Sequence, residues 1–273
     1  MRRIGLYYGS FDPATTLQIS FAVRKKKQLD LDEVWFVLSE EGNPYKHRMT
    51  LLRLRLNRKG YKVIREAELK KNQKDQYIDI TDDSLSLKQL TYSDLKYLTT
   101  RQKRYIMEHY LYLESISKST LKEHRWQHVQ RVAGLCRQFA GGNGYDERKA
   151  YCAGMLHDIA KNMDRETLEG YMKTFCPEYI DRNWQVWHQY VGAVILQREL
   201  KMRDRKIIKA VRNHATGDDQ DILSMIVYCA DKLDPGRGYD SSQQIALCTK
   251  NITDGYKLVR KEQIEYLKKE GVI

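Results

Sequence analysis

A change of hydrophobic period near residue 115 divides this chain of 273 residues into two kinds of fold. Before it, short apolar runs stand apart. Ile4-Gly5-Leu6-Tyr7-Tyr8, Glu33-Val34-Trp35-Phe36-Val37-Leu38 and Tyr61-Lys62-Val63-Ile64 each read as a strand, with helices expected over 15–27 and 47–58. Strands alternating with helices imply right-handed crossovers and a parallel sheet whose ligand sites lie at the strand C-terminal ends. After residue 115 no alternation survives. Helices are expected over 101–117, from Thr120 to the Gly141-Gly142-Asn143-Gly144 stop, and over 146–161, 164–174, 187–200, 204–214, 220–233, 241–250 and 253–269. The small polar stretch Ser115–Thr120 marks the seam, and Thr120 with Glu123 forms a capping box for the next helix. The reading is a multidomain chain: an α/β domain over 1–112 and an all-α domain over 113–273.

Hydrophobic content of 41% supports real cores in both. The net charge of +12 points to anionic partners, although the cations are interleaved with Asp and Glu. The one tight run, Arg24-Lys25-Lys26-Lys27, reads as a solvated helix end. Five dispersed cysteines without a CxxC pair suit reduced thiols. The opening apolar run is too short for a signal peptide, and no segment reaches the ~18–20 apolar residues of a membrane span. A cytoplasmic protein is expected. No aromatic-basic RNA motif stands out, so nucleic acid is not the expected partner; a homodimer is left open.

Within the helical part, Cys152-Ala153-Gly154-Met155-Leu156-His157-Asp158-Ile159-Ala160-Lys161 places a His-Asp pair on an otherwise apolar helix. Burying both without partners costs several kcal/mol. Backbone hydrogen bonds or a metal ion would each satisfy them. Five of the seven histidines fall in this domain: His124 and His128 at i,i+4, His157, His188 opening a helix, and His214 closing one. Asp231 joins them from the apolar stretch Ile226–Leu233. Singly each has a bland alternative; Asp231, for example, can simply pair with Lys232. Together, imidazoles and carboxylates suit Fe, Mn, Co or Zn better than Ca or a thiolate site.

The opening Gly5-Leu6-Tyr7-Tyr8-Gly9-Ser10-Phe11-Asp12-Pro13 resembles the start of nicotinate-nucleotide adenylyltransferases. So do the spacing to Asp32-Glu33-Val34-Trp35-Phe36-Val37 and the later Asp94-Leu95-Lys96-Tyr97-Leu98. That family carries a His-x-Gly-His motif after the turn, and its histidines stabilise the triphosphate of ATP. Here Ala14-Thr15-Thr16-Leu17-Gln18 holds neither histidine nor glycine. A second ATP motif, Ile-Ser-Ser-Thr-x-Ile-Arg, is echoed by Ile80–Ser86 without its arginine. Losing such cations removes several kcal/mol of transition-state stabilisation. The expectation is a truncated, Rossmann-like, degenerate nucleotidyltransferase domain that serves as a scaffold; residual nicotinate-mononucleotide adenylylation is the alternative.

The second domain resembles the HD superfamily of metal-dependent phosphohydrolases, and most closely its bacterial YqeK-type symmetrical bis(5'-nucleosyl)-tetraphosphatases. Glu123-His124-Arg125-x-x-His128, Leu156-His157-Asp158-Ile159-Ala160-Lys161, Trp187-His188-x-x-Val191-Gly192-Ala193 with Gln197-Arg198-Glu199, and Arg212-x-His214 before Gly217 carry the resemblance. Tyr228-x-Ala230-Asp231 and Asp234-Pro235-x-Arg237 complete it. The resemblance implies that His128, His157, Asp158 and Asp231 hold iron, as one or two ions. It puts His188 and His214 toward the substrate phosphates or a second metal, and Arg125, His128, Lys161 and Arg237 among the substrate-binding residues. Asp158, His188 and His214 would carry catalysis. The substrate would be a dinucleoside polyphosphate, with deoxynucleoside triphosphates or guanosine tetraphosphate as the alternative.

Overall fold

The computed structural model describes residues 1–56 and 59–271. They form two compact units, Met1–Tyr105 and Ile106–Ile273.

In the first unit, four parallel strands, β1 (Arg3–Gly9), β2 (Glu33–Leu38), β3 (Tyr61–Arg65) and β4 (Gln76–Asp79), lie in the order β3-β2-β1-β4. Ile4 pairs with Glu33 and with Tyr77, and Val34 with Tyr61, so every ladder runs parallel. The strands read as continuous apolar runs because the sheet is covered on both faces. Ile4, Leu6, Trp35, Val37 and Ile64 pack on one side. Tyr7, Val34, Phe36 and Leu38 pack on the other, with Phe11 and Phe21. Helices α1 (Thr16–Gln28) and α2 (Tyr45–Arg53) connect the first three strands. In the last turn of α1, Lys26 Nζ donates to the carbonyls of Leu31 and Asp32, so the basic run ends the helix. The sequence reading missed β4, whose Gln-Tyr-Ile-Asp is too polar to signal a strand; its pairing with β1 creates it. Helix α2 stops at Arg53, short of the expected span, and residues 57 and 58 of that span lie outside the described residues.

Past the sheet, α3 (Thr100–Glu108) and α4 (Leu113–Lys118) replace the single helix expected over 101–117. Tyr110 and Tyr112, with φ of 54° and 57°, turn the chain between them. Ser115–Thr120 is no seam: Leu113, Ser115, Ile116 and Ser117 are buried. Nor does Thr120 cap the following helix, because its hydroxyl bonds back to the Ser117 carbonyl.

The second unit continues as α5 (Glu123–Gly142), α6 (Glu147–Leu156), α7 (Arg165–Phe175), α8 (Trp187–Arg198), α9 (Arg205–Asn213), α10 (Ile222–Lys232), α11 (Ser242–Lys250) and α12 (Ile252–Lys269). Asp146, Asp164 and Asp204 each accept from a backbone N–H of the first turn of α6, α7 and α9. Gly154 lets α5 and α6 approach closely. A Cβ there would lie 2.8 Å from Cys136 Sγ and 2.9 Å from Ala133 Cα. That approach sets the distance between the two helices that carry His128 and precede His157. All five cysteines are free and buried. Among the described residues no helix is long and apolar enough to cross a membrane.

Candidate metal centre

Helix α6 ends at Leu156, so the His157-Asp158 pair follows the helix instead of riding inside one that runs to 161. The backbone tightens there: Ile159 N–H bonds to the Leu156 carbonyl and Lys161 N–H to that of Asp158. The pair is thereby aimed at the mouths of α5, α8, α9 and α10. His128 comes from the second turn of α5, His188 from the first turn of α8, His214 from the end of α9 and Asp231 from the last turn of α10. All six side chains are buried. His124 stays exposed on α5 and takes no part.

Each histidine is oriented through Nδ1. His157 Nδ1 lies 2.6 Å from the Gly154 carbonyl, His188 Nδ1 2.9 Å from that of Gln185, and His214 Nδ1 2.7 Å from that of Val211. A carbonyl oxygen accepts only, so these nitrogens carry the proton and each Nε2 keeps its lone pair. His128 Nδ1 is held instead by the Asp234 carboxylate at 2.7 Å. The four Nε2 atoms converge on the carboxylates. His188 and His214 Nε2 lie 3.3 and 3.4 Å from Asp158 Oδ1, and His157 Nε2 3.5 Å from Asp158 Oδ2. His128 Nε2 lies 3.2 Å from Asp231 Oδ1.

This set fits a cation. The Nε2 atoms of His128 and His157 are buried without a hydrogen-bond partner. His188 and His214 present their Nε2 atoms to each other at 3.2 Å, so two lone pairs face one carboxylate oxygen. Three acceptors so arranged repel unless a proton or a metal ion lies among them. Two groups satisfy ligand spacing, His128-His157-Asp158 and Asp158-His188-His214, with Asp158 common to both. Hydrogen-bonded Nδ1 atoms behind free Nε2 atoms are the usual support of metal-binding histidines.

Burial pushes His157 down to about 4, outweighing the Asp158 charge, and lowers His188 and His214 in the same way. These imidazoles are neutral near pH 7. Burial would lower His128 too, but the Asp231 carboxylate facing its Nε2 and the Asp234 carboxylate on its Nδ1 raise it. Burial opposes ionisation of Asp158 and Asp231, yet both carboxyls are held well below the usual carboxylate range, Asp158 with Arg125 at 3.2 Å and Asp231 with Lys232 at 2.9 Å.

A cleft of about 670 Å³ opens onto Asp158, His188 and Asp231. Its walls carry Arg125, Lys161, Arg182, Lys232, Arg237 and Arg260. Arg125 donates to Asp158 Oδ2 at 3.2 Å, and Arg237 to Asp231 Oδ1 at 2.9 Å. Lys161 Nζ lies 3.4 Å from the His188 ring nitrogens. Lys232 does pair with Asp231, at 2.9 Å, as the bland reading had it, without removing Asp231 from the cluster. Preorganised cations beside buried carboxylates suit a polyphosphate.

Sequence reasoning assigned no role to Asp234, Arg131, Arg182 or Arg260. Asp234 grips Arg131 at 2.6 and 3.0 Å while holding His128, and these partners bring its carboxyl down to about 2 against the opposing effect of burial. A signal existed: Arg131 lies i,i+3 from His128, and Asp234 precedes a Pro-Gly turn. Arg260, on α12, has no local pattern around it.

Residues 125–236 match the family described as the HD domain. A protein of Mycoplasma genitalium named probable nicotinate-nucleotide adenylyltransferase/Ap4A hydrolase is 34% identical over 165 residues, 58% of this chain and 47% of that relative. The chain thus spans about half the length of that relative. The symmetrical bis(5'-nucleosyl)-tetraphosphatase of Bacillus subtilis is 30% identical over 131 residues, 47% of this chain and 70% of the relative. A crystal structure of a predicted HD superfamily hydrolase involved in NAD metabolism, from Clostridium acetobutylicum, aligns with a TM-score of 0.53 and 23% identity. The match covers 58% of this chain and 87% of that one, and it is a likeness of fold.

Proposed function

Since this chain belongs to the family of the symmetrical bis(5'-nucleosyl)-tetraphosphatases, built on an HD domain, we propose that it hydrolyses dinucleoside polyphosphates, converting diadenosine tetraphosphate and water to two ADP. The observation that carries the reading is Asp158, shared by two sets of inward-facing histidines at the floor of a cation-lined cleft. His128, His157, Asp158 and Asp231 would hold iron, with Mn, Co or Zn as substitutes, and His188 and His214 with Asp158 would take a second ion or the phosphates. A bound divalent cation supplies Lewis acidity and draws the pKa of water from 15.7 toward neutrality.

The chain's own residues do the rest. Asp158, kept ionised, accepts a hydrogen bond from the attacking water and aligns it with a central phosphorus. His188 and His214 meet the phosphoryl oxygens as charge builds. Arg125 and Lys161 bind the phosphates on the side of Asp158, and Arg237 those on the side of Asp231. The bond that breaks joins one central phosphorus to the oxygen bridging it to the other, and ADP leaves with its charge matched by these cations.

We infer that the first unit carries no second chemistry of this kind. Where adenylyltransferases place phosphate-binding histidines, Ala14 is buried and Thr15 caps α1 through a reciprocal pair with Gln18. Gln102 Nε2 closes the turn by donating to the Ala14 carbonyl at 2.8 Å. We read this unit as a nucleotidyltransferase scaffold without its chemistry.

Protein purified anaerobically, assayed for metals and offered diadenosine tetraphosphate, guanosine tetraphosphate, deoxynucleoside triphosphates, and nicotinate mononucleotide with ATP tests both statements. Two ADP per tetraphosphate is the expected result. Turnover of only the other nucleotides would replace the substrate assignment, and dinucleotide synthesis would overturn the reading of the first unit.

A further inference from the structure

Beside the cation-lined cleft lies a second cavity of about 500 Å³, lined in part by Tyr239, Gln244, Glu262 and Tyr266. The two hollows share Lys232, Arg237 and Gln263 in their walls. Lys232 and Arg237 are also the two cations bonded to Asp231, each at 2.9 Å, so the shared wall begins at the metal-binding cluster. Tyr239 and Tyr266 are 50% and 58% exposed, large aromatic surfaces presented to water next to a polar floor. Neither ring stacks on another aromatic side chain among the described residues, whereas Tyr179 and Tyr190 stack with ring centroids 4.3 Å apart. The Tyr239 hydroxyl bonds to the Lys232 carbonyl, which ties that ring to the shared wall.

We propose that this second cavity is the subsite for one nucleoside of the substrate, with Tyr266 and Tyr239 as the surface on which its base stacks. The inference rests on the functional reading above and deepens it. Symmetric cleavage puts the middle of a phosphate chain at the cluster, so a nucleoside must lie on each side of it. The main cleft receives one. The chain of phosphates leaves the cluster over Lys232 and Arg237, which line both hollows, and delivers the other between the two tyrosines. Gln244 and Gln263 supply amide donors and acceptors for the base edge. A mononucleoside polyphosphate would leave this cavity empty, which makes it the place where dinucleotides are told from mononucleotides.

The test compares diadenosine tetraphosphate with adenosine 5'-tetraphosphate, which lacks the second nucleoside. Binding of each to metal-stripped full-length protein is measured by calorimetry, and hydrolysis of each by the metal-loaded protein. Base stacking on one aromatic ring predicts that the dinucleotide binds roughly tenfold more tightly. Tyr266→Ala should bring that ratio toward one and raise KM for the dinucleotide more than it changes kcat. Tyr266→Phe, which keeps the ring, should retain the ratio and so separates loss of stacking from damage to α12. Equal loss on both ligands in Tyr266→Ala, or an equal ratio in wild type, overturns the subsite while leaving the hydrolase reading standing. Absence of hydrolysis of either compound by metal-loaded wild type overturns both.

Discussion

Two turns in this molecule, each leaving a regular element, present opposite solutions to the same problem. At the end of β1, residues 9–18 bring backbone and side-chain polar groups together at the carboxyl edge of a parallel sheet. Nearly all find partners within the unit: Thr15 with Gln18, Thr16 Oγ1 with the Tyr97 carbonyl, Asp12 with Asn43, and Arg48 with the carbonyls of Ser10, Ser39 and Asn43. At the end of α6, the polar groups are satisfied only on their outer sides. Each Nδ1 is bonded and the inward Nε2 atoms of His128 and His157 are not. Buried groups without partners cost free energy unless something binds there. The first turn satisfies its own polar groups; the second leaves two buried ring nitrogens unpaired.

The largest test of that contrast is Asp158→Asn, which keeps the size of the side chain and removes the charge common to both histidine groups. Hydrolysis of diadenosine tetraphosphate should fall by at least ~10³-fold, and bound metal per chain, read by elemental analysis, should fall with it. Full metal content and full turnover would sink the central role of Asp158. Chelation of the wild-type protein should abolish turnover and lower its melting temperature, since a ligand that binds only the folded state stabilises it.

Asp234→Ala tests the outer support of the cluster. His128 would lose the partner of its Nδ1 and Arg131 its carboxylate, and metal affinity should drop about 10- to 100-fold by competition titration. An unaltered affinity would mean that α5 alone orients His128.

In the first unit, Thr15→Ala removes the capping box of α1. A loss of about 1 kcal/mol in urea unfolding of that unit is expected, with tetraphosphate hydrolysis unaffected. A drop in hydrolysis would show that the first turn is not the inert partner in the comparison.

The smallest effect concerns a cap outside both turns. Burial opposes ionisation of Asp204, but Lys149 at 2.8 Å and the N–H groups of α9 hold its carboxyl below the ordinary value. A depressed folded-state pKa stabilises the protein above the unfolded value of about 3.9 and is lost as pH falls through the folded one. Asp204→Asn should therefore lower the melting temperature slightly near pH 7. Its difference from wild type should shrink on acidification below about pH 4, and a difference independent of pH would remove the charge from the explanation.

Much of this could be read from the residues in order. The strand runs from Ile4 and Glu33, the helices of the second unit to within a few residues, and the spacing of His128, His157-Asp158, His188, His214 and Asp231 are local signals: a strand covered on both faces reads as a short continuous apolar run, and a half-buried helix repeats with a period of 3.6. The absence of histidine from 14–18 was equally plain. Other features needed the fold. β4 exists because β1 offers it an edge, and α6 stops at Leu156 because the chain must turn to face four other helices. His124, a neighbour of His128 in every sequence pattern, points to water. Asp234 behind His128, Arg260 on α12, and the second cavity sharing a wall with the first arise from residues far apart in the chain. Sequence by itself determined which side chains are available and on which face of their own element they lie. Tertiary structure alone decided which of them share one small, partly unsatisfied volume, because that depends on how helices pack against one another and not on any period within them.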